Sequence, residues 1–543
     1  MKKLLRNNLV LSLLAACIFL TATSFKSDFF EIAKQIEIFT TLFKELNMNY
    51  VDETNPAELM DTAIKNMLED LDPYTVFMNE QDVEAYKINN AGEYSGIGAL
   101  VRSYEDRLVV VEPYKGYPAD QAGLKAGDEI IRIGDIAVSD FKDDATELLK
   151  GADRSTVEVT YKRQGNLATT TVARGAIEID AVPFYRMADD KTGYIVLSRF
   201  NAKASEQTES AIQELRDQGA ERLILDLRGN PGGLLSEAIN VTNLFVPKGE
   251  LIVTTKSKVK KFNQEYKTRK NPLDTEIPLV VLIDGHSASA SEIVSGGLQD
   301  LDRAVIMGAR SFGKGLVQRP LKLTYGTQLK VTISRYYTPS GRCIQALDYW
   351  NRDAVGNAVR NTEFQEFRTR NGRVVTDRGG VMPDIEIREL TSNDLIDALE
   401  GNQLVFNFAT QYYYRNTNHT EVSGFALEPN TLKNFNDFVA RSDFSFETKT
   451  EKALKEALTK QEDVIFTDAI EADFRSLLAA VEKQKMEALD KHSAEIRKLL
   501  EDEIIKRYFY REGLFEYYLD HDPSILAARE LLSSPSKYRE TLQ

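Results

Sequence analysis

The sequence predicts a multidomain protein with an α/β core, a small β-domain ahead of it, a helical segment in front of both and a mainly helical extension behind. Three observations carry that prediction. Continuous apolar strands alternate with helices from Gly193 to about Ile387, the pattern of a sheet covered on its faces. Tyr94 to about Arg174 is a run of short strands and glycine turns, and past Leu390 the chain becomes charged and helical, most clearly from Glu451 to Glu516. At ~150 residues per domain, a chain of 543 residues holds three or four domains. The boundaries read as 1–24 for a signal or anchor, 25–90 for the helical segment, 91–175 for the β-domain, 176–388 for the core and 389–543 for the extension.

Composition narrows the function classes. A hydrophobic share of 42% and a charged share of 28% exclude a wholly disordered or collagen-like chain. The 68 Lys+Arg against 83 Asp+Glu leave a net charge of −15, which argues against nucleic acid as partner, since phosphate binding is driven by basic neutralisation. Two cysteines are too few for a disulfide framework or a multi-cysteine zinc site.

Taken in chain order, Lys2, Lys3 and Arg6 precede an apolar run of fifteen residues from Leu9 to Thr23. That length suits a signal sequence better than the ~20 residues needed to cross a bilayer. Thr21-Ala22-Thr23 offers a cleavage site, and Leu14-Ala15-Ala16-Cys17 fits a lipoprotein pattern that would acylate Cys17, although Ile18-Phe19-Leu20 stays apolar beyond it. The expectation is export to a bacterial periplasm, by cleavage or with an anchor that associates the chain with the membrane. After cleavage Cys343 is the one thiol left, so no intrachain disulfide forms. Ile32, Ile36, Phe39, Phe43 and Leu46 recur at helical spacing, and Asn55 to Leu71 reads as a second helix ended by Asp72-Pro73; core packing is the expected use of this pair, a dimer contact the alternative.

In the β-domain, Leu108 to Val111, Glu129 to Ile133 and Thr156 to Arg163 read as strands, Ala119 to Leu124 as a helical turn and Phe141 to Leu149 as a helix. In the core, the strands are Tyr194 to Leu197, Arg222 to Leu227, Pro278 to Ile283 and Ala304 to Met307, with helices over Ser205 to Gln218, after Gly233 and from about Ser289. Lys256 to Lys270, with seven basic residues against Glu265, reads as a solvated hairpin or loop.

Three segments of the core carry chemistry. Asp284-Gly285-His286-Ser287-Ala288-Ser289-Ala290-Ser291-Glu292 places small hydroxyl residues on a strand-to-helix turn, where the helix N-terminus favours a developing negative charge. Ser289 to Glu292 is equally an S-x-x-E capping box that needs no catalysis. Ser311-Phe312-Gly313-Lys314-Gly315-Leu316-Val317-Gln318 sets a lysine among glycines and apolar residues, where desolvation would favour the neutral amine and fit it as a general base. Asp226-Leu227-Arg228-Gly229-Asn230-Pro231-Gly232-Gly233 leads into a helix and presents backbone N–H groups suited to an oxyanion. Gly308 to Lys314 also fits seven positions of a phosphate-binding P-loop, but Gly315 stands where Ser or Thr should ligate Mg²⁺ and Pro320 stops any following helix, so nucleotide binding is excluded.

The order and spacing of these segments resemble the carboxyl-terminal processing (tail-specific) protease family, serine endopeptidases with an inserted PDZ domain. Leu68-Glu69-Asp70-Leu71-Asp72-Pro73 ahead of the β-domain and Tyr337-Thr338-Pro339-Ser340-Gly341-Arg342 with Pro383-Asp384 behind belong to the same match, which runs from Phe29 to Ile387. Pro118-Ala119-Asp120-Gln121-Ala122-Gly123-Leu124-Lys125-Ala126-Gly127-Asp128-Glu129-Ile130-Ile131 resembles a PDZ motif, a fold that takes an extended peptide as an added strand. Ser95-Gly96-Ile97-Gly98-Ala99 is the expected carboxylate loop, with Gly96, Ile97 and Gly98 supplying the amides.

The resemblance implies a crotonase/Clp-protease-like core, Ser289 as nucleophile, Lys314 as its base twenty-five positions later and Gln318 orienting the lysine. If 314 to 318 is a strand, equal parity puts Lys314 and Gln318 on one face. The oxyanion falls to the Ala290 N–H with an N–H of Gly232 or Gly233. No cofactor or metal is implied, and His286, His419, His492 and His521 form no cluster. The implied partners are proteins or peptides with apolar C-terminal tails, with a homo-oligomer or an adaptor left open. A PDZ scaffold that binds tails without cleaving them is the alternative, and an acyl-CoA enzyme on the same superfold the third; the Ser/Lys pair at its offset speaks against both.

Overall fold

A computed structural model describes residues 29–543 apart from 105, 142–143, 354–355, 361–363, 378, 388–392, 417–420, 443, 445 and 460–467. The signal or anchor segment, Cys17 and His419 lie outside the described residues. Two compact units are distinguished, one comprising the residues up to Phe77 with Leu329–Val331, the other Met78–Gln328 with Thr332–Gln543.

In the first unit, residues 29–49 form a helix and Pro56–Glu69 a second, with Asn55 capping its first turn and Pro56 opening it, as helix N-termini favour. The expected core packing of the first helix fails: Ile32, Ile36, Phe39 and Leu46 are exposed. Its apolar spacing is helical, but periodicity records which residues share a face and not what covers that face.

The β-domain of the second unit is an antiparallel sheet in the order Ala99–Ser103, Leu108–Pro113, Glu129–Ile133, Thr156–Arg163, Asn166–Ala173. Inward residues alternate along it, and Leu108, Val110, Ile130, Val159 and Val172 form its core with Leu124 and Leu149. Glu93–Gly96 pairs antiparallel with Gly175–Glu178, so the chain enters and leaves the domain on neighbouring strands. The helix expected over Phe141 to Leu149 is shorter, a 3-10 stretch at Ala145–Leu149. Phe141 is extended and the Asp144 side chain accepts from the Thr146 N–H, so the turn starts at an Asx cap rather than at the aromatic residue.

The core sheet runs Phe184–Met187, Thr192–Val196, Arg222–Asp226, Leu279–Ile283, Val305–Gly308, Ile385–Glu386, its first pair antiparallel and the rest parallel. Period-two alternation sends Ile195, Leu223, Leu225, Val281 and Ile283 to one face, against the helices Ala204–Asp217, Leu235–Asn243 and Ala290–Asp300. Tyr194, Val196, Ile224, Val280, Leu282, Val305 and Met307 point to the other, where they meet Leu519, Ile525, Ala528, Leu531, Leu532 and Tyr538 of the chain's last helices. Those helices are Ser493–His521, which is kinked at Tyr510, Pro523–Leu532 and Pro535–Thr541. Arg222 Nη1 donates to Leu532 O at 3.0 Å, and the Tyr538 hydroxyl accepts from Leu279 N at 3.0 Å. The extension thus supplies the second covering layer of the core.

The rest of the extension has its own core, where Phe408 and Phe435 pack with Ile496, Leu500 and Ile504. The basic segment forms a hairpin of Leu251–Lys256 and Gln264–Lys267 joined through a 3-10 turn at Lys260–Phe262, and Lys256 Nζ sits 4.2 Å over the Tyr337 ring.

Candidate active site

The strand Leu279–Ile283 ends beside the loop that follows Arg222–Asp226, because the two strands are parallel neighbours. Asp284 closes the turn: its carboxylate accepts from Ser287 N at 2.8 Å, from His286 N at 3.0 Å and from Gly229 N on the neighbouring loop at 3.0 Å. Ser287 Oγ donates to Leu227 O, Ala288 N to Asn230 O and Ser291 Oγ to Asn230 O, at 2.8, 3.0 and 2.9 Å. The two loops are therefore one hydrogen-bonded body. His286 Nδ1 lies 3.8 Å from Asp284 with its side chain 86% exposed, turned to solvent.

Ser289 stands between that turn and the helix Ala290–Asp300 with φ +55° and ψ −107°. A non-glycine residue in this region is strained, and such strain persists only where the surroundings over-determine it. One of those surroundings is Glu292, fully buried. Its Oε2 accepts from Ser289 N at 2.8 Å and from Lys314 N at 2.9 Å; its Oε1 accepts from Ser311 Oγ at 2.6 Å and Gly313 N at 2.7 Å. One carboxylate thus fastens the serine turn to the lysine loop. Burial pushes its pKa above the ordinary carboxylate value against the four donors that favour the ionised form. Tyr336, also buried, donates its hydroxyl to Ser289 O at 3.2 Å.

Lys314 is half-buried and precedes the strand Leu316–Lys322, so the expected strand from 314 to 318 begins two residues late. The reason lies in the backbone donors. The N–H groups of Gly313 and Lys314 go to Glu292 and that of Gly315 to Gln345 Oε1 at 2.7 Å, leaving none for a ladder. The parity argument for Lys314 and Gln318 falls with it. Gln318 Nε2 donates to Thr332 Oγ1 at 3.1 Å on the adjoining strand.

Gly232 and Gly233 differ. The Gly232 N–H donates to Asn230 Oδ1 at 2.9 Å, whereas Gly233 pairs with Phe200 in a bridge that uses the Gly232 and Phe200 carbonyls. Both need glycine: at φ +99° a Cβ on Gly232 would sit 2.7 Å from Ala288 O and 2.9 Å from Ala290 N, and at φ +149° one on Gly233 would sit 2.3 Å from Phe200 O. Ala290 is the first helical residue, so its N–H has no partner within the helix.

In the β-domain, Ile97 is buried and its carbonyl accepts from Ala119 N at 2.7 Å, while Gly98, at φ +69°, accepts from Tyr114 N at 2.9 Å. The Tyr94 ring covers Gly96, where an added Cβ would meet Cε2 at 2.8 Å. Burial pushes the Tyr94 hydroxyl up to about 12, opposed by the Gly98 N–H it faces. Ala99–Ser103, which follows this loop, lies at the edge of the sheet.

Among the described residues no group of three or more His, Cys, Asp or Glu is arranged to hold a metal, and no helix is long and apolar enough to cross a membrane. In the sequence Glu292 reads only as a helix cap, and its hold on the lysine loop goes unseen; an acid beside two glycine-rich loops was the available signal.

Three family models match the chain: Peptidase family S41 over residues 191–349, PDZ domain over 95–173, and Probable PDZ-protease, C-terminal helical domain, over 395–532. A carboxy-terminal-processing protease of Bartonella bacilliformis is 36% identical over 321 residues, 58% of this chain and 73% of the relative. A carboxy-terminal processing protease of Bacillus subtilis, CtpA, is 32% identical over 310 residues, 56% of this chain and 65% of the relative. The solved photosystem II D1 C-terminal processing protease shares 29% identity, covers 65% of this chain and 88% of its own, and gives a TM-score of 0.36.

Proposed function

The chain belongs to the carboxy-terminal processing protease family, PDZ-containing serine proteases, and from that premise we propose that it is a serine endopeptidase that reads protein C-terminal tails and cleaves through Ser289 and Lys314. The observation that carries the assignment is Glu292, whose Oε2 accepts from the backbones of both residues; a carboxylate shared in this way fixes a nucleophile against a base that stands on a different loop. In this mechanism neutral Lys314 takes the Ser289 hydroxyl proton while Oγ attacks the scissile carbonyl. The C–N bond then breaks, the amine leaves with the proton from Lys314, and an acyl-serine remains. Lys314 next removes a proton from water, which attacks the ester and returns Ser289.

The oxyanion of each tetrahedral intermediate is received by the Ala290 N–H and, of the two glycines, by Gly233, since the Gly232 N–H already has Asn230 as acceptor. Donors fixed in place need no reorganisation as charge develops. Gln318 stands on the strand after Lys314 and aligns the amine. A substrate tail adds as a strand to the Ala99–Ser103 edge with its carboxylate at the amides of Gly96, Ile97 and Gly98, and the apolar N-terminal run exports the enzyme to the periplasm.

The test uses residues 26–543 with Ser289→Ala, Lys314→Ala and Gln318→Ala, each incubated with an unfolded protein ending in an apolar tail, free or amidated. Cleavage lost in the first two and slowed by amidation is the expected result. Cleavage that survives Ser289→Ala overturns the assignment, and a parent that binds the tail without cutting it favours a scaffold.

A further inference from the structure

We propose that the C-terminal extension is a working part of the catalytic site, with Asp522 acting as a positioning residue that holds the oxyanion loop in place through Arg228. The inference rests on the reading of Gly233 and Ala290 as oxyanion donors. Arg228 lies on the loop that leads to Gly233 and is largely buried, its side chain 15% exposed. Its Nε and Nη2 donate to the Asp226 carboxylate at 3.0 and 2.7 Å, and its Nη1 donates to both oxygens of Asp522 at 3.0 and 2.9 Å.

The two carboxylates do different jobs. Asp226 ends the core strand Arg222–Asp226 and accepts from the Tyr194 hydroxyl at 2.7 Å, so its contact ties Arg228 to the strand from which the loop departs. Asp522 is 294 residues away in sequence and comes from the covering layer on the far face of the sheet. Among the described ion pairs it is the one partner of Arg228 from beyond the strand Arg222–Asp226 and its loop. It is itself firmly seated: it caps the helix Pro523–Leu532 by accepting from Ser524 N at 2.9 Å and Ile525 N at 3.1 Å, and Ile525 and Ala528 of that helix are fully buried against the sheet.

Movement of Arg228 has a direct route to the chemistry. The next residue, Gly229, is bonded to Asp284, the carboxylate that also shapes the nucleophile turn. Asn230 follows, holding Leu197 O at 2.6 Å and accepting from Ala288 and Ser291. Gly232 and Gly233 come next. An oxyanion donor displaced by a fraction of an ångström is felt in the transition state and little in substrate binding, so loss of the Asp522 contact acts on kcat rather than on KM.

The experiment compares residues 26–543 with Asp522→Ser, Asp522→Asn, Tyr538→Phe and Ser289→Ala. It reads steady-state cleavage of an unfolded, apolar-tailed protein, the rate of labelling by a fluorophosphonate, and thermal unfolding. Ser and Asn both keep an oxygen that caps the helix, and Asn alone keeps an acceptor long enough for Arg228. Tyr538→Phe removes a different bond between extension and core and controls for stability. Expected is a fall of roughly tenfold or more in kcat and in labelling rate for Asp522→Ser, with KM within about twofold, a smaller fall for Asp522→Asn, and none for Tyr538→Phe at a matched loss of thermal stability. A folded Asp522→Ser enzyme with the parent's kcat overturns the proposal, as does a loss that Tyr538→Phe reproduces. Cleavage or labelling that persists in Ser289→Ala instead overturns the underlying site assignment, and with it any role for Asp522.

Discussion

Glu292→Gln is the substitution with the clearest arithmetic. The parent carboxylate has four donors and no hydrogen of its own, two donors on each oxygen. Glutamine keeps the length and one acceptor oxygen but turns the other into an amide donor, which then faces two donors. Whichever way the amide turns, either Ser289 N with Lys314 N or Ser311 Oγ with Gly313 N loses its acceptor around a fully buried side chain. At about 1–3 kcal/mol for each buried group left unsatisfied, the expected loss of stability is about 2–6 kcal/mol. That is a large part of the ~5–15 kcal/mol of a typical domain. The catalytic loss is expected to be greater in proportion, on the order of 100-fold in kcat with KM little changed, because the pair held by Oε2 is the proposed nucleophile and base. Urea unfolding followed by intrinsic fluorescence measures the first quantity and steady-state cleavage the second. A Glu292→Gln enzyme within about 0.5 kcal/mol of the parent, with the parent's kcat, would show that the carboxylate does not carry the geometry assigned to it.

Three further outcomes are expected. Gly233→Ala puts a Cβ 2.3 Å from Phe200 O at φ +149°; the loop must shift, and kcat for tail cleavage should drop at least about tenfold with a stability loss above about 1 kcal/mol. Glu451, drawn down to about 2 by hydrogen bonds from Lys455 and Lys485, ties the helix Lys449–Thr459 to Asp468–Met486. Its folded pKa lies below its unfolded one, so its contribution is present above the ordinary glutamate value near 4.5 and is lost as pH falls from there towards 2; hydrogen exchange in Lys449–Thr459 should quicken over that window, and Glu451→Gln should abolish the pH dependence. Tyr510→Phe with Arg511→Ala removes the hydrogen bond to Asp120 at 2.7 Å, worth ~1.5–3 kcal/mol as a bond to a charged group, and the pair with Glu112, worth ~0.2–1 kcal/mol. Exchange over residues 112–128 should rise a few-fold, while the core strands stay as protected as before.

The order of core elements was legible because strands buried on both faces carry apolar runs, as in Leu279–Ile283, and two of them, Arg222–Asp226 and Leu279–Ile283, are followed by a glycine- or serine-rich turn into a helix. The turn that carries Ser289 was legible for the same reason: Asp284 to Glu292 can do little else after such a strand than cap the next helix. What the sequence could not reveal were contacts that join distant segments. Lys314 reads as a strand residue because a strand does run through Leu316 to Gln318, yet its own N–H is claimed by Glu292, and no local pattern announces that. The apolar stripe of residues 29–49 predicts a helix correctly, and its exposure was invisible, since periodicity is silent about the partner. Gly232 and Gly233 are equivalent in sequence and separate only once Asn230 is seen to take one of the two N–H groups.

The boundary near residue 389 illustrates the same limit in energetic terms. Composition changes sharply there, from apolar strands to charged helices, and a domain boundary is the natural reading. Packing ignores it. Seven residues of the core sheet, Tyr194, Val196, Ile224, Val280, Leu282, Val305 and Met307, are buried on the face where Leu519, Ile525, Ala528, Leu531, Leu532 and Tyr538 lie. At about 1.5–3 kcal/mol per large apolar side chain, leaving that face to water would forfeit roughly 10–20 kcal/mol, more than a domain's net stability of ~5–15 kcal/mol. An amphipathic helix carries no label naming the sheet it covers, so the extension reads in sequence as an appendage. In the folded chain it is the second layer of the core, and Asp522 reaches from that layer to Arg228 on the loop beside the Ser289 turn.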